Sequence, residues 1–165
     1  LKISEKLPDI PFTAVFNCSV KELADFSSRN NVPTNLCLLS RELNLQKIYE
    51  ESFLVLNLSL PEACVETFGL TILEGMAFAC PYVVPPVGGH LDFFDDQCGL
   101  IAHAKDTDCI VNFITQLQAD EDLWRRYADH ALDIAGAYSS IAFKDRVDKF
   151  LREQIKSKKK SVDNQ

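Results

Sequence analysis

Residues 53–89 read FLVLNLSLPEACVETFGLTILEGMAFACPYVVPPVGG, and the order of residue types in this stretch decides the fold. FLVLNLSL (53–60) is apolar almost throughout. Continuous apolarity predicts a strand buried on both faces, as in a parallel sheet. A loop, PEACVETFG (61–69), leads into a short helix, LTILEGMAFA (70–79). PYVVP (81–85) is a further strand, and Gly88–Gly89 mark a tight turn.

The same rhythm extends in both directions. Upstream, PFTAVFN (11–17) and NLCLLS (35–40) read as strands. Between them Ser19 opens a helix that runs to about Arg29, with Glu22 three residues on completing a capping box. LNLQKIYEES (43–52) is helical, with Leu43, Ile48 and Tyr49 on one side. Downstream, a short helix follows the glycine turn, CGLIAH (98–103) is a last short strand, and helices span roughly 107–118, 121–137 and 140–156, the last capped by Ser139 or Ser140. Alternating strands and helices predict an α/β fold, a Rossmann-like doubly wound parallel sheet with C-terminal helices. No repeat or interior linker divides the chain, so 1–165 forms one domain, with 157–165 a flexible tail.

Composition narrows the function. With 165 residues, 47% of them apolar, the chain can bury a core without metals or disulfide staples. No run of about twenty apolar residues exists to span a bilayer, and LKISEKLPDI is not the pattern of a secretory signal. A net charge of −7 argues against nucleic acid as a partner. The basic run Lys156–Lys160 reads as the solvated end of a helix, with a weak electrostatic contact to anionic membrane as the functional reading. The six cysteines, Cys18, Cys37, Cys64, Cys80, Cys98 and Cys109, include no C-x-x-C and mostly sit in apolar runs. They are expected to be buried free thiols in a reducing, cytoplasmic setting. His90, His103 and His130 are not paired at ligand spacing along the chain, so no metal site is expected.

The chemistry concentrates between Glu66 and Gly89. In such sheets ligands bind outside the carboxyl ends of the strands, where loops enter helices. The amides of Phe68, Gly69 and Leu70 open a helix and form a candidate cradle for a diphosphate. Glu66 and Glu74 would repel a diphosphate, so they make sense against hydroxyl groups on either side of it. A carboxylate can accept from both hydroxyls of a vicinal diol. A nucleotide sugar offers diols at both ends and an anionic middle. Gly88 and Gly89 permit close backbone approach, and no G-x-G-x-x-G follows the first strand to suggest a dinucleotide site. Each feature alone has an ordinary structural account: a Glu complementing a helix terminus, or a glycine turn.

Together, ETFGLTILEGMAFACPYVVPPVGG (66–89) resembles the signature of the retaining family-4 glycosyltransferases of GT-B fold. That signature runs Glu, any residue, Phe-Gly, then a helix with a second Glu and a Met-Ala pair. A small residue, Pro, a strand and Gly-Gly complete it. CGLIAHAKD (98–106) is similar to the family's next segment, and the helices over 107–156 resemble its closing helices, with an aromatic–Ser junction at Tyr138–Ser139. The likeness covers about 50–156, whereas 1–49 agrees only in its strand–helix pattern.

The resemblance implies one lobe of a GT-B enzyme that binds a UDP- or GDP-sugar and transfers the sugar with retention. No metal or other cofactor is implied. Glu66 would contact donor-sugar hydroxyls near the reacting centre as the catalytic residue, and Glu74 would hold the ribose diol. The amides of Phe68, Gly69 and Leu70 would face the diphosphate, and Gly88 and Gly89 would shape the opposite wall. The chain departs from the pattern at Leu91–Asp92 (usually Pro-Glu), Thr67, Cys80 and Lys105. It also lacks the Gly-Arg…Lys-Gly segment that clamps the diphosphate after the first strand of such lobes. The expected reading is therefore a lobe truncated on its N-terminal side, without its acceptor-binding partner lobe and inactive alone. The parent enzyme would build a polysaccharide or glycoconjugate, in the cytoplasm or at the inner membrane face. The rivals are a non-catalytic nucleotide- or protein-binding module of the same fold and another α/β nucleotide-binding enzyme such as an oxidoreductase, which the missing glycine fingerprint disfavours.

Overall fold

The computed structural model describes residues 1–41, 44–63 and 65–162, without the side chains of Gln154 and residues 156–162. Short strands alternate with helices: α1 (Lys2–Lys6), β1 (Phe12–Phe16), α2 (Val20–Arg29), β2 (Leu36–Ser40), α3 (Leu45–Glu50), β3 (Val55–Leu56), α4 (Leu70–Met76), β4 (Tyr82–Val84), β5 (Gly99–Ile101), α5 (Thr107–Ala119), α6 (Glu121–Ala137) and α7 (Ser140–Val162). A 3₁₀ turn at Gly89–Asp92 precedes β5. All the strand pairs are parallel, so the fold is α/β. The strands divide into two sheets, β1–β2 and β3–β4–β5, rather than forming the single expected one.

β4 is the centre of the larger sheet, and its alternation builds both layers. Tyr82 and Val84 point into a cluster with Ile72 and Met76 of α4, Phe93, Phe94, Cys98 and Ala131 of α6. Val83 points the other way, among Ile3 of α1, Ala102, and Ile110, Phe113, Ile114 and Leu117 of α5. Successive strand side chains take opposite faces, so three residues suffice to nail helices to both sides.

FLVLNLSL behaves differently from expectation. Only Val55 and Leu56 form a strand, both half-buried, while Phe53, Leu58 and Leu60 are exposed. β3 lies at the edge of its sheet and bonds to β4 alone, through Val55 N–H to Pro81 O (3.0 Å) and Asn57 N–H to Val83 O (2.9 Å). The strand covered on both faces is PYVVP. Phe53 is instead occupied by Trp124 of α6, whose ring stacks on it and whose Nε1–H donates to its carbonyl at 2.7 Å.

The helices follow the sequence signals closely. Ser19 Oγ accepts from Glu22 N–H while the Glu22 carboxylate accepts from Ser19 N–H (2.8 Å), the expected capping box. Ser139 Oγ accepts from Ala142 N–H, which makes Ser139 the cap of α7. That helix continues to Val162 rather than ending near 156, as the good helix formers of its lysine-rich end allow. α1 was not anticipated. It is held by Asn35, whose side-chain amide donates to the carbonyls of Ser4, Leu7 and Ile10 at 2.8–3.0 Å, and by a Lys6–Asp108 ion pair to α5.

Five cysteines are described, all of them free thiols. Cys80 and Cys98 are buried as expected, and Cys18 and Cys109 are half-buried. Cys37 is a correction: it lies on β2, where strand alternation turns it out to solvent. Cys64 and Leu43 lie outside the described residues.

The loop ahead of α4 is tied to the end of β5. Lys105 Nζ and His103 Nε2 both reach Glu62 Oε1, at 3.1 and 3.2 Å. This gives Lys105, one of the departures from the family pattern, a local role. The Glu62 carboxyl is lowered to about 2 by its own backbone amide first, then by Lys105.

Two outcomes follow from these contacts. A Cβ added at Gly75 would fall 2.3 Å from Tyr82 Oη in a fully packed core, so Gly75→Ala should destabilise the fold by ~1–3 kcal/mol in chemical denaturation, despite better helix propensity. By NMR titration Glu62 should protonate near 2 rather than at its ordinary 4.5. Because the folded pKa is depressed, the tether contributes fully above the ordinary value and is lost as pH falls toward 2. Lys105→Ala should move the midpoint back toward 4.5.

Candidate functional site

The segments that carry the signature meet at the carboxyl end of β4. Glu66 and Gly88 form a parallel bridge, and Gly89 N–H donates to Glu66 O at 2.9 Å. This joins the loop before α4 to the turn after β4. The join depends on missing side chains. A Cβ on Gly89 would fall 1.9 Å from Thr67 O, and one on Gly88 would meet Glu66 O at 2.8 Å and the His90 ring at 2.6 Å. Gly69, the residue before α4, has φ +89°, a left-handed conformation that a Cβ would strain.

Residue type and spacing along the chain give His90 no role of its own. It is fully buried and lies under both turns, against the Cα of Gly88 on one side and Gly69 on the other. Its Nε2 is 2.9 Å from Pro85 O. A proline carbonyl can only accept, so Nε2–H is the donor in this bond. Among the described residues, Nδ1 is buried with no hydrogen-bond partner. The only sequence signal was a histidine immediately after the glycine pair.

Glu66 is half-buried, and its Oε1 accepts from Gly69 N–H at 3.1 Å. Of the three amides expected to face a diphosphate, the middle one is therefore occupied by the chain's own carboxylate. Among the described residues, the amides of Phe68 and Leu70 donate to no protein acceptor. The second Glu66 oxygen keeps its capacity to accept.

Glu74 stands elsewhere. It is exposed, on the side of α4 that lines a largely apolar groove with Leu70 and Leu73. The far wall is Leu132, Ala135 and Gly136 of α6 with Tyr138 and Ser139 at its end. The structure thus joins Glu66, Phe68, Gly69, Gly88 and Gly89 directly, and brings Leu70 and Glu74 to an adjoining groove. The Tyr138–Ser139 junction forms the other side of that groove.

Beneath α4, two phenols converge on one carbonyl. Tyr82 and Tyr49 donate to Thr71 O at 2.6 and 3.3 Å. Burial first, then the nearby Glu74 charge for Tyr49 and the neighbouring Tyr49 for Tyr82, raise both above the ordinary phenol range. Both are therefore donors at neutral pH. Cys80 completes this support: its Sγ–H donates to Tyr49 O at 3.3 Å, and burial pushes the thiol up to about 11. The position that departs from the family pattern thus holds a buried thiol packed against Tyr49 and Ser52.

Aromatic contacts carry the site outward. Phe68 packs on Phe93, Phe93 on Tyr138, and the Arg146 guanidinium of α7 lies over the Tyr138 ring at 5.3 Å. Separately, Asp95, Cys98 and His130 bring three possible ligand atoms within 4.8 Å of one another. His130 is paired in space although not along the chain.

Comparison with known proteins identifies the family and the fold. Residues 17–120 match the model of the family described as glycosyl transferases group 1. The match begins well before residue 50, so the family pattern also reaches into the segment where the sequence showed only a strand–helix rhythm. The sucrose-phosphate synthase of Zea mays is 28% identical over 99 residues, covering 59% of this chain and 9% of that protein. The chain thus spans about a tenth of the length of such curated relatives. Among solved structures, Anabaena HepE in complex with UDP superposes with a TM-score of 0.74 at 19% identity, over 88% of this chain and 42% of HepE. TarM gives 0.72 at 22% identity, over 92% of this chain and 30% of TarM. The C-terminal domain of the group 1 glycosyl transferase LpcC from Francisella tularensis gives 0.63 at 20% identity, over 82% of this chain and 73% of that one. These likenesses establish a shared GT-B glycosyltransferase fold. Since the family model covers more than half of the sequence, the chain belongs to the group 1 glycosyl transferases.

Proposed function

We propose that this chain is the donor-binding lobe of a retaining glycosyltransferase, and that it holds a UDP- or GDP-sugar between the Glu66–Gly88 bridge and the groove beside Glu74. The observation that carries this reading is the joined pair of turns. Glu66 is fixed by Gly69 N–H at one oxygen, on a loop that lies directly against Gly88 and Gly89 because neither glycine has a side chain to hold it off. The free oxygen would accept from hydroxyls of the donor sugar, which makes Glu66 the residue at the reacting centre. Glu74 would accept from the ribose diol along the α4–α6 groove. The amides of Phe68 and Leu70 would stabilise the diphosphate as charge develops on the leaving group. Gly69 N–H would serve mainly to orient Glu66.

In this reading the amide donors answer the leaving-group charge, and the transfer needs no metal ion. Supporting it are the UDP bound to HepE and the UDP-glucose bound to the same protein, ligands of the kind that two carboxylates around an amide cradle suit. The acceptor would come from a partner lobe of the parent protein, so this lobe alone would bind weakly and catalyse nothing. The parent enzyme would work in the cytoplasm on a polysaccharide or glycoconjugate, with only weak peripheral membrane contact. No helix among the described residues is long and apolar enough to cross a membrane.

Calorimetric titration of the chain with UDP, GDP and their sugars tests the assignment. Glu74→Ala should weaken binding by ~1–3 kcal/mol, the worth of charge-assisted hydrogen bonds to the ribose. Equal affinity in wild type and variant would remove Glu74 from the site. In the parent protein, Glu66→Ala should reduce kcat far more than nucleotide affinity. Retained nucleotide binding with no transfer by the unmodified parent would instead make this lobe a binding module.

A further inference from the structure

The turn before β5 and the middle of α6 come together at Asp95, Cys98 and His130. None of the three takes part in the donor-binding reading. Asp95 and Cys98 are three residues apart in a tight turn, closed by Cys98 N–H to Asp95 O (3.1 Å) and Gln97 N–H to Asp95 Oδ1 (2.9 Å). His130 comes from α6, with Nε2 3.3 Å from the Asp95 carboxylate. Cys98 Sγ lies 3.6 Å from Asp95 Oδ1.

Those separations have a second meaning. A tetrahedral Zn²⁺ with bonds of ~2.0 Å to oxygen and nitrogen and ~2.3 Å to sulfur sets neighbouring ligand atoms roughly 3.3–3.6 Å apart. The observed O–N and O–S distances match those edges, and all three atoms lie within 4.8 Å of each other. The donor set is also of the right kind: one thiol, one imidazole and one carboxylate suit a borderline-soft divalent ion. Burial is graded, with Cys98 fully buried and the His130 and Asp95 side chains 30% and 46% exposed. An ion could therefore enter from the rim and keep a fourth position for water.

We propose that Asp95, Cys98 and His130 form a divalent transition-metal site, of the zinc class, that fastens α6 to the turn before β5. On binding, the metal takes the place of the Cys98 thiol proton, which is released to solvent, and no redox change is involved. The ion clamps the helix that forms one wall of the groove beside Glu74. Its role is structural, separate from glycosyl transfer.

Titrating the whole chain with Co²⁺ and Zn²⁺ tests this. One equivalent of Co²⁺ should bind, with a thiolate-to-cobalt charge-transfer band in the near ultraviolet that Zn²⁺ abolishes. Cys98→Ser should remove the band. His130→Gln should weaken Zn²⁺ binding by more than about tenfold, as loss of a ligand predicts. Cys109→Ser, which removes a thiol outside the cluster, should change neither. Zn²⁺ at a fixed concentration should raise the Tm of the wild type more than that of His130→Gln, because it binds the wild-type fold more tightly. Absence of the band, or its persistence in Cys98→Ser, overturns the assignment. If Cys98→Ser does not fold, unchanged Zn²⁺ affinity in His130→Gln, a substitution at a partly exposed side chain, overturns it equally.

Discussion

Tyr82, Val83 and Val84 are exposed on neither side, and both hydrophobic clusters converge on these three side chains. A strand this short cannot be stable by itself; it persists because α4 and α6 cover one face while α1 and α5 cover the other. The arrangement makes Tyr82 a double fixture. Its ring fills the space that Gly75 leaves empty, and its hydroxyl holds Thr71 O, which fixes the axis of α4 relative to the sheet. Whatever ligand α4 meets at its first residues, the position of those residues is set from below by a phenol.

The site is assembled by backbone proximity more than by side-chain contacts. Glu66, Thr67 and Phe68 run against Gly88 and Gly89 so closely that no Cβ fits between them, and His90 fills the space underneath. A buried imidazole nitrogen without a partner costs stability, about 1–3 kcal/mol for a typical unsatisfied group. Such a cost is tolerated where the surrounding geometry over-determines the residue. Here the Nε2 bond to Pro85 O and two flanking glycines do so.

Periodic and local signals were legible in the sequence. The Ser19–Glu22 capping box, the boundaries of α6 and the glycine turn at 88–89 depend on near neighbours along the chain, and each was readable from residue type and spacing. In FLVLNLSL apolarity alone settles neither strand length nor burial, since only Val55 and Leu56 form a strand and Phe53, Leu58 and Leu60 are exposed. Its side chains are used by Trp124 and α5 as much as by the sheet. Asn35, His90 and the Asp95–Cys98–His130 group were invisible for a different reason. Their meaning comes from partners 25–35 residues away for Asn35 and His130, or from backbone atoms that no residue letter reveals. The same holds for Glu66, whose carboxylate was read as facing a ligand but also closes a bond to Gly69 N–H.

Asn35 has a consequence for how the molecule opens. α1 is five residues long, far below the length at which a helix persists in water, and it lacks a side-chain N-cap. Its order is borrowed: three carbonyls rest on one amide, and Ile3 rests on the face of β4 that carries Val83. Release of the Asn35 amide together with the Lys6–Asp108 pair and Ile3 would free α1 as a unit and admit water to one side of the central strand while the other side stays closed. The corner around residues 1–10 is therefore expected to open at a smaller free energy than global unfolding, with amide exchange there governed by that local opening.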